Sequence, residues 1–61
     1  MTKPKCSELY LSGDFRIVVY NWNTDGTLEI KLLLKNNTTC HFFAKWSEEG
    51  FEVLTDSEAE V

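Results

Sequence analysis

The chain has 61 residues, of which 43% are hydrophobic and 13% aromatic, and its formal net charge is −4. A chain this short forms one domain at most, and its apolar and aromatic content argues against disorder throughout. The acidic balance disfavours a protein that binds mainly nucleic-acid phosphates, because such binding relies on Lys and Arg.

The N-terminal residues are compatible with two different elements. In residues 5–12, Leu9 and Leu11 alternate with Tyr10, which fits a short edge strand, and a single helical turn is the alternative. No apolar run resembles a signal peptide or approaches the roughly 20 residues of a membrane span. The chain has two cysteines, Cys6 and Cys40, whereas a disulfide framework usually has more. We therefore expect reduced thiols and a cytoplasmic protein.

Three alternating runs and a short fourth one follow, each bounded by turn residues. They span residues 14–22, 27–35, 38–46 and 51–54. The first is rich in β-branched and aromatic residues, and the second is too short for a confident helix. The pattern predicts an all-β fold, a small four-stranded antiparallel meander to which the N-terminal segment could add a fifth, edge strand.

The first hairpin is predicted from Asp25-Gly26, a strong turn signal between alternating runs. A two-residue loop would pair Val19 with Leu32, and a four-residue loop over 23–26 would pair Val19 with Ile30. Both registers place Val19 on the face of the second strand that carries its leucines, because residues directly opposite share a face.

The other two hairpins are predicted with loops of three and four residues. A three-residue loop, with Asn37 in the left-handed conformation, pairs Leu32 with Cys40. A four-residue loop over 47–50 pairs Trp46 with Phe51. With these lengths, all three loops place the apolar residues of the four strands on one face of the sheet.

This apolar face needs a cover that the sequence does not provide as a helix. It is predicted to contain Phe15, Ile17, Val19, Leu28, Ile30, Leu32, Leu34, Cys40, Phe42, Ala44, Trp46, Phe51 and Val53. Either the sheet curls into a small roll, or a second copy packs on it as a sandwich. We expect the homodimer, with a core or dimer contact formed by Phe15, Ile17, Ile30, Leu32, Phe42 and Trp46.

The opposite face is predicted to mix aromatic, aliphatic and charged residues. Tyr, Trp and Arg dominate the energetics of protein interfaces, so this face is a candidate binding surface. The candidate partner-binding residues are Tyr20, Trp22, Lys31 and Phe43, with Glu48 and Glu49 of the acidic turn. Small acidic proteins are common among the inhibitors that phages and mobile elements direct at host proteins. By that analogy we expect a non-enzymatic modulator, an inhibitor or accessory factor, with a protein partner.

The C-terminal end differs in charge from the rest. Residues 1–46 hold six basic and four acidic residues, whereas residues 47–61 hold six acidic residues and no basic one. We therefore predict one β domain over residues 1–54 and an acidic flexible tail over residues 55–61.

Other chemistry has weaker support. The same mixed face has the ingredients of a stacking platform for single-stranded nucleic acid, which is the alternative function. Cys40 and His41 are neighbours on a strand, so their side chains point to opposite faces and cannot act as a nucleophile and its base. Two distant cysteines and one histidine lack the spacing of zinc ligands. We therefore expect no catalytic residue, no metal and no cofactor.

Overall fold

The computed structural model describes residues 3–60 and contains one short helix and four strands. In chain order these are α1 (Cys6–Ser12), β1 (Ile17–Trp22), β2 (Thr27–Leu33), β3 (Thr39–Ser47) and β4 (Gly50–Thr55). The strands form one antiparallel sheet in the order β1-β2-β3-β4. The predicted meander is confirmed, and the N-terminal segment forms a helix rather than an edge strand.

The helix ends at a glycine in the left-handed conformation. Gly13 has a φ of 81°, and its N–H donates to the carbonyl of Tyr10 at 3.2 Å. The N–H of Asp14 donates to the carbonyl of Leu9 at 3.0 Å. These two bonds satisfy carbonyls that the end of a helix would otherwise leave unpaired, in the arrangement called a Schellman motif.

Helix α1 packs on one side of the sheet, which we call the inner face, and the opposite side is the outer face. A disulfide joins Cys6 of α1 to Cys40 of β3, with the two Cα atoms 6.0 Å apart. Under this cover lie the buried residues Leu28, Ile30, Leu32, Leu34, Phe42, Ala44 and Ala59, together with both cysteines. The expectations of reduced thiols and of an uncovered apolar face were therefore wrong. They failed because chain spacing does not reveal which distant segments meet.

The covered core also removes the reason for which a sandwich dimer was predicted. Ile30 and Phe42 are already buried within a single chain. A second copy is therefore not needed to exclude water from them. The homodimer remains a prediction, but the need to cover an exposed apolar face no longer supports it.

Two of the three hairpin registers are as predicted. Leu32 lies opposite Cys40, and Asn37 in the connecting loop has a φ of 68°. Trp46 lies opposite Phe51 as predicted, although Ser47 also pairs with Gly50, so the loop has two residues, 48–49, and not four. In both hairpins the loop length places apolar side chains of neighbouring strands on the inner face.

The loop between β1 and β2 has three residues, 24–26, and not the predicted two or four. The N–H of Asn23 donates to the carbonyl of Thr27 at 2.9 Å, and Gly26 takes the left-handed conformation with a φ of 88°. The carboxylate of Asp25 accepts hydrogen bonds from the N–H of Thr27 at 3.0 Å and from its hydroxyl at 2.6 Å. These bonds hold Asp25 in the middle of the loop, followed by a single left-handed residue.

The three-residue loop turns β1 over relative to the prediction. Because adjacent residues of a strand face opposite sides, a change of one residue in loop length exchanges the two sides of the strand. Val18, Tyr20 and Trp22 lie on the inner face, opposite Leu32, Ile30 and Leu28 respectively. Ile17 and Val19 lie on the outer face, where both are exposed.

Residues 56–60 pack against the N-terminal segment. Ala59 is fully buried, and its N–H donates to the carbonyl of Pro4 at 2.9 Å. The carboxylate of Asp56 accepts hydrogen bonds from the backbone N–H and the hydroxyl of Ser7, which places a negative charge at the start of α1. These residues are thus not the solvated tail that the sequence predicts, although the flanking glutamates are exposed. Within this acidic segment, one small residue, Ala59, inserts into the core.

Between residues 3 and 60, no helix has the length and apolar character that crossing a bilayer requires.

Candidate protein-binding surface

The structure divides the predicted partner-binding residues between the two faces. Tyr20 and Trp22 lie on the inner face, whereas Lys31 and Phe43 lie on the outer face. Glu48 and Glu49 form the exposed turn that joins β3 to β4. Tyr20, Trp22, Lys31 and Phe43 therefore do not form one surface, because the loop at 24–26 turns β1 over.

The predicted core or dimer residues are divided as well. Ile30, Leu32 and Phe42 are buried, and Phe15 packs half-buried against their cluster. Ile17 and Trp46 are exposed instead, to 53% and 55%. Ile17 belongs to the outer face, whereas Trp46 is on the inner face near the end of β3.

Three large aromatic side chains are exposed on the inner face. Tyr20 and Trp22 alternate along β1 with exposures of 47% and 65%, and Trp46 lies on β3. Phe51, directly opposite Trp46 on β4, is half-buried beside it. We call Tyr20, Trp22, Trp46 and Phe51 the aromatic surface.

Contacts with the core hold two parts of the aromatic surface in place. The hydroxyl groups of Tyr10 and Tyr20 share a hydrogen bond of 2.8 Å, and their rings are perpendicular with centroids 6.3 Å apart. The ring of Trp46 packs against Phe51 at 5.1 Å. Tyr10 also packs against the buried Phe42 at 5.7 Å, so Tyr20 is linked to the core through α1. Side chains that are fixed before binding lose less conformational entropy when a partner arrives.

The hydrogen bond between Tyr10 and Tyr20 also affects the pKa of Tyr10. The hydrogen bond with Tyr20, and secondarily its partial burial, raise the pKa of Tyr10 above its usual value of 10.0. The phenol of Tyr10 is therefore neutral at physiological pH.

Acidic side chains lie next to the aromatic surface. Glu48 and Glu49 follow Trp46 by two and three residues, and both are exposed. Among the residues that the structure describes, neither glutamate forms an ion pair. Their charge is therefore available to a positively charged partner that contacts Trp46.

The outer face carries a shallow groove of about 420 Å³. Ile17, Val19 and Leu33 line it with Lys31 and His41. Lys31 lies 3.8 Å from the carboxylate of Glu29 on the same strand, so its charge is partly compensated. Its apolar side chains are aliphatic and smaller than those of the aromatic surface.

The side chains of Cys40 and His41 lie on opposite faces of the sheet, as the sequence predicted. His41 is exposed on the outer face with its ring edge-to-face with Phe43 at 5.9 Å, whereas Cys40 lies on the inner face within the disulfide. No group of three His, Cys, Asp or Glu side chains in the part of the chain that the structure describes could hold a metal ion.

The platform predicted for single-stranded nucleic acid is divided in the same way as the protein-binding set. Tyr20 and Trp22 lie on the inner face, and Lys31, His41 and Phe43 lie on the outer face. Lys31 and the exposed rings of Tyr20 and Trp22 are thus on opposite sides of the sheet.

Trp46 is the functional candidate that sequence reasoning assigned to the core. Alternation predicted its face correctly but not its exposure. The sequence held no signal for this exposure, because the alternating runs 27–35 and 38–46 have equal lengths, whereas in the structure β3 has nine residues, against six in β4 and seven in β2. A residue near the end of the longest strand has fewer neighbours to cover it.

Comparison with known proteins gave no match to a family model, to a curated protein or to a solved structure.

Proposed function

We propose that this protein is a non-enzymatic binding module that holds a basic protein partner on its aromatic surface, as an inhibitor or accessory factor. One observation carries the proposal: Tyr20, Trp22 and Trp46 each expose about half of the side chain or more on the same face of the sheet. Trp and Tyr are over-represented among residues that dominate binding energy, because they bury a large area at a small loss of side-chain freedom.

The charge next to the aromatic surface supports a basic partner. Glu48 and Glu49 are exposed beside Trp46, and the whole chain has a net charge of −4. Complementary charges at the rim of an interface accelerate association and exclude partners of the wrong sign more than they strengthen the final complex. The aromatic side chains then supply affinity, and the glutamates supply selectivity.

The disulfide bears on where the protein works. A bond such as Cys6–Cys40 persists in oxidising compartments and is reduced in the cytosol of most organisms. The cytoplasmic location expected from the sequence was argued together with reduced thiols. We therefore propose that the protein works in an oxidising compartment. Alkylation of free thiols in the native cells, followed by mass spectrometry of the protein, tests this proposal. Alkylation of both cysteines would contradict it.

Affinity capture with matched variants tests the binding proposal. The bait is the whole protein, used as wild type, as Trp46→Ser and as Ile17→Ser. Trp46 and Ile17 have nearly equal exposure on opposite faces, which makes Ile17→Ser the control for a general loss of surface hydrophobicity. We expect a protein that the wild type and Ile17→Ser both retain and that Trp46→Ser does not.

The captured protein is then purified and titrated calorimetrically. Replacing an anchoring tryptophan should weaken binding by about 2 kcal/mol or more, or roughly 30-fold in Kd. Thermal melting of each bait shows whether it is folded. The proposal fails if all three baits retain the same proteins, or if the control loses them and Trp46→Ser does not.

Charge reversal of the rim separates steering from anchoring. Glu48→Lys with Glu49→Lys should slow association at low salt and leave dissociation nearly unchanged, because exposed charges act mainly during encounter. Stopped-flow measurement of the tryptophan emission gives both rates. An unchanged association rate would remove the basic partner from the proposal while leaving the aromatic surface in it.

A further inference from the structure

The free edge of β1 presents unpaired backbone groups. Opposite residues of antiparallel strands alternate between pairs that exchange both backbone hydrogen bonds and pairs that exchange none. The bond from Asn23 to Thr27 identifies that pair as a bonded one. Counting back along β1, the N–H and C=O groups of Val18, Tyr20 and Trp22 point away from β2. Since β1 is the first strand of the sheet, these groups are open to another chain.

The two edges of the sheet differ in how they discourage such pairing. The β4 edge has an irregularity in its pairing with β3 next to Phe43, and it carries the exposed Glu52 and the acidic turn at 48–49. Bulges and charges are the usual devices that prevent edge-to-edge association. β1, with the sequence IVVYNW, has neither: it contains no charged residue and no proline, and it is regularly paired.

We propose that two copies of this chain join edge to edge through β1 and form one continuous eight-stranded antiparallel sheet. A second copy fits this edge because the strand is uncharged, so its own duplicate brings no like charges opposite each other. In the joined sheet the two β4 edges lie seven strand spacings apart, or roughly 34 Å. This is several times the Debye length of about 8 Å at physiological ionic strength, so the acidic turns of the two copies do not repel each other appreciably.

The available hydrogen-bonding groups determine the register. The N–H of Arg16 already donates to the carbonyl of Leu33 at 2.7 Å, so the new ladder cannot extend in that direction. Only Val18, Tyr20 and Trp22 can pair. An antiparallel arrangement uses all three when Tyr20 lies opposite Tyr20 of the second copy, on the two-fold axis, and Val18 lies opposite Trp22 of the second copy. A shift by two residues in either direction would leave one of the three without a bonded partner.

This register also brings apolar side chains together. Val18 is half-buried and Trp22 is the most exposed aromatic residue of the strand, and each would cover the other across the junction on the inner face. Helix α1 is tied to β3, two strands away from the edge, by the Cys6–Cys40 bond, and its contact with Tyr20 of β1 is made by the side chain of Tyr10 and not by the backbone of the edge. The dimer would use Tyr20 and Trp22 of the aromatic surface and leave Trp46 exposed, so the variants at Tyr20 test the dimer and Trp46→Ser tests the proposed function.

A charge-swap experiment at the two-fold axis tests the register. Tyr20→Lys places two ammonium groups opposite each other, and Tyr20→Glu does the same with two carboxylates. We expect the wild type to sediment as a dimer, and each variant alone to dissociate with a Kd raised at least 10-fold. An equimolar mixture of the two variants should restore the dimer, and native mass spectrometry should identify it as the mixed species.

Two control variants distinguish edge pairing from face-to-face association and from loss of the tyrosine hydroxyl. Tyr20→Phe removes only the hydroxyl bond to Tyr10 and should remain dimeric. Trp46→Lys puts a charge on the inner face away from β1, so it should leave this dimer intact but would disrupt a face-to-face sandwich. A monomeric wild type at several hundred micromolar, variants that dimerise like the wild type, or a mixture that stays monomeric would each overturn the proposal.

Hydrogen exchange on the unmodified protein provides a test that needs no variant. The amide protons of Val18, Tyr20 and Trp22 should exchange slowly at high protein concentration and rapidly after dilution. The amide proton of Val19, which bonds to β2, should show little dependence on concentration. Rapid exchange of all three outward-facing amides at every concentration would refute edge pairing even if the charged variants fail to fold.

Discussion

Reduction of the disulfide should remove a large part of the stability of this domain. The bond between Cys6 and Cys40 joins residues 34 apart in the chain and connects α1 to the sheet. Without it, α1 is held by the packing of Tyr10 on Phe42 and by hydrogen bonds from Cys6 and Ser7 to residues 56–57. Its seven residues add little stability of their own, because isolated helices of that length are unstable in water. We expect α1 to separate from the inner face and to expose the apolar side chains beneath it.

The size of the effect follows from the length of the closed loop. A crosslink that closes 34 residues lowers the entropy of the unfolded chain by an amount equivalent to about 4 kcal/mol at 25 °C. A folded domain of 61 residues has a total free energy of unfolding of about 3–9 kcal/mol at typical values per residue. The reduced protein should therefore be marginally folded or unfolded at 37 °C.

Urea denaturation followed by tryptophan emission measures this difference. The wild type is unfolded with and without a phosphine reductant, and the Cys6→Ala/Cys40→Ala variant is the control, since reductant should not change its midpoint. We expect the reduced wild type to lose about 4 kcal/mol and to resemble the double variant. A reduced protein within about 0.5 kcal/mol of the oxidised one would refute the structural role given to this bond.

Three further predictions concern the core and the first loop. Phe42→Ala should lower the free energy of unfolding by about 3–5 kcal/mol, and Phe43→Ala, at the half-buried outer position, by clearly less, as measured in urea. Hydrogen bonds from Thr27 hold the pKa of Asp25 below its usual 3.8. Asp25 therefore contributes stability above about pH 4 that is lost as the pH falls through its lowered pKa, and Asp25→Asn should flatten the acid side of a melting-temperature profile; an unchanged slope would contradict this. Gly26→Ala, at a φ of 88°, should lose about 1 kcal/mol in thermal unfolding, and no loss would contradict the left-handed loop.

The sequence predicted the strands and two of the three registers because those signals are local. Alternating residues between turn residues specify a strand and its two sides. At Asn37, a residue type that tolerates the left-handed conformation sits where a three-residue loop needs one. The prediction that Leu32 would face Cys40 follows from that loop alone, and the structure confirms it.

The register of β1 was wrong although its signal is also local. The loops at 24–26 and 35–37 are built in the same way. In each, an Asp or Asn side chain accepts hydrogen bonds from the N–H and the hydroxyl of a threonine two residues later: Asp25 from Thr27, and Asn36 from Thr38. The sequences DGT and NNT therefore carry one signal. Reading Asp25-Gly26 as a two-residue turn ignored the threonine, and the error of one residue exchanged the two sides of β1.

Tertiary structure decided which segments cover the sheet. Cys6 meets Cys40 across 34 residues, and Ala59 inserts beside Pro4 from the opposite end of the chain. Neither contact leaves a periodic pattern, because each depends on a single residue whose partner is distant in the chain. The sequence by itself therefore determined the strands, their turns and the presence of an apolar face. Only the folded chain decided that α1 and residues 56–60 cover part of that face, and that Tyr20, Trp22 and Trp46 remain exposed on it, because burial depends on what other segments leave uncovered.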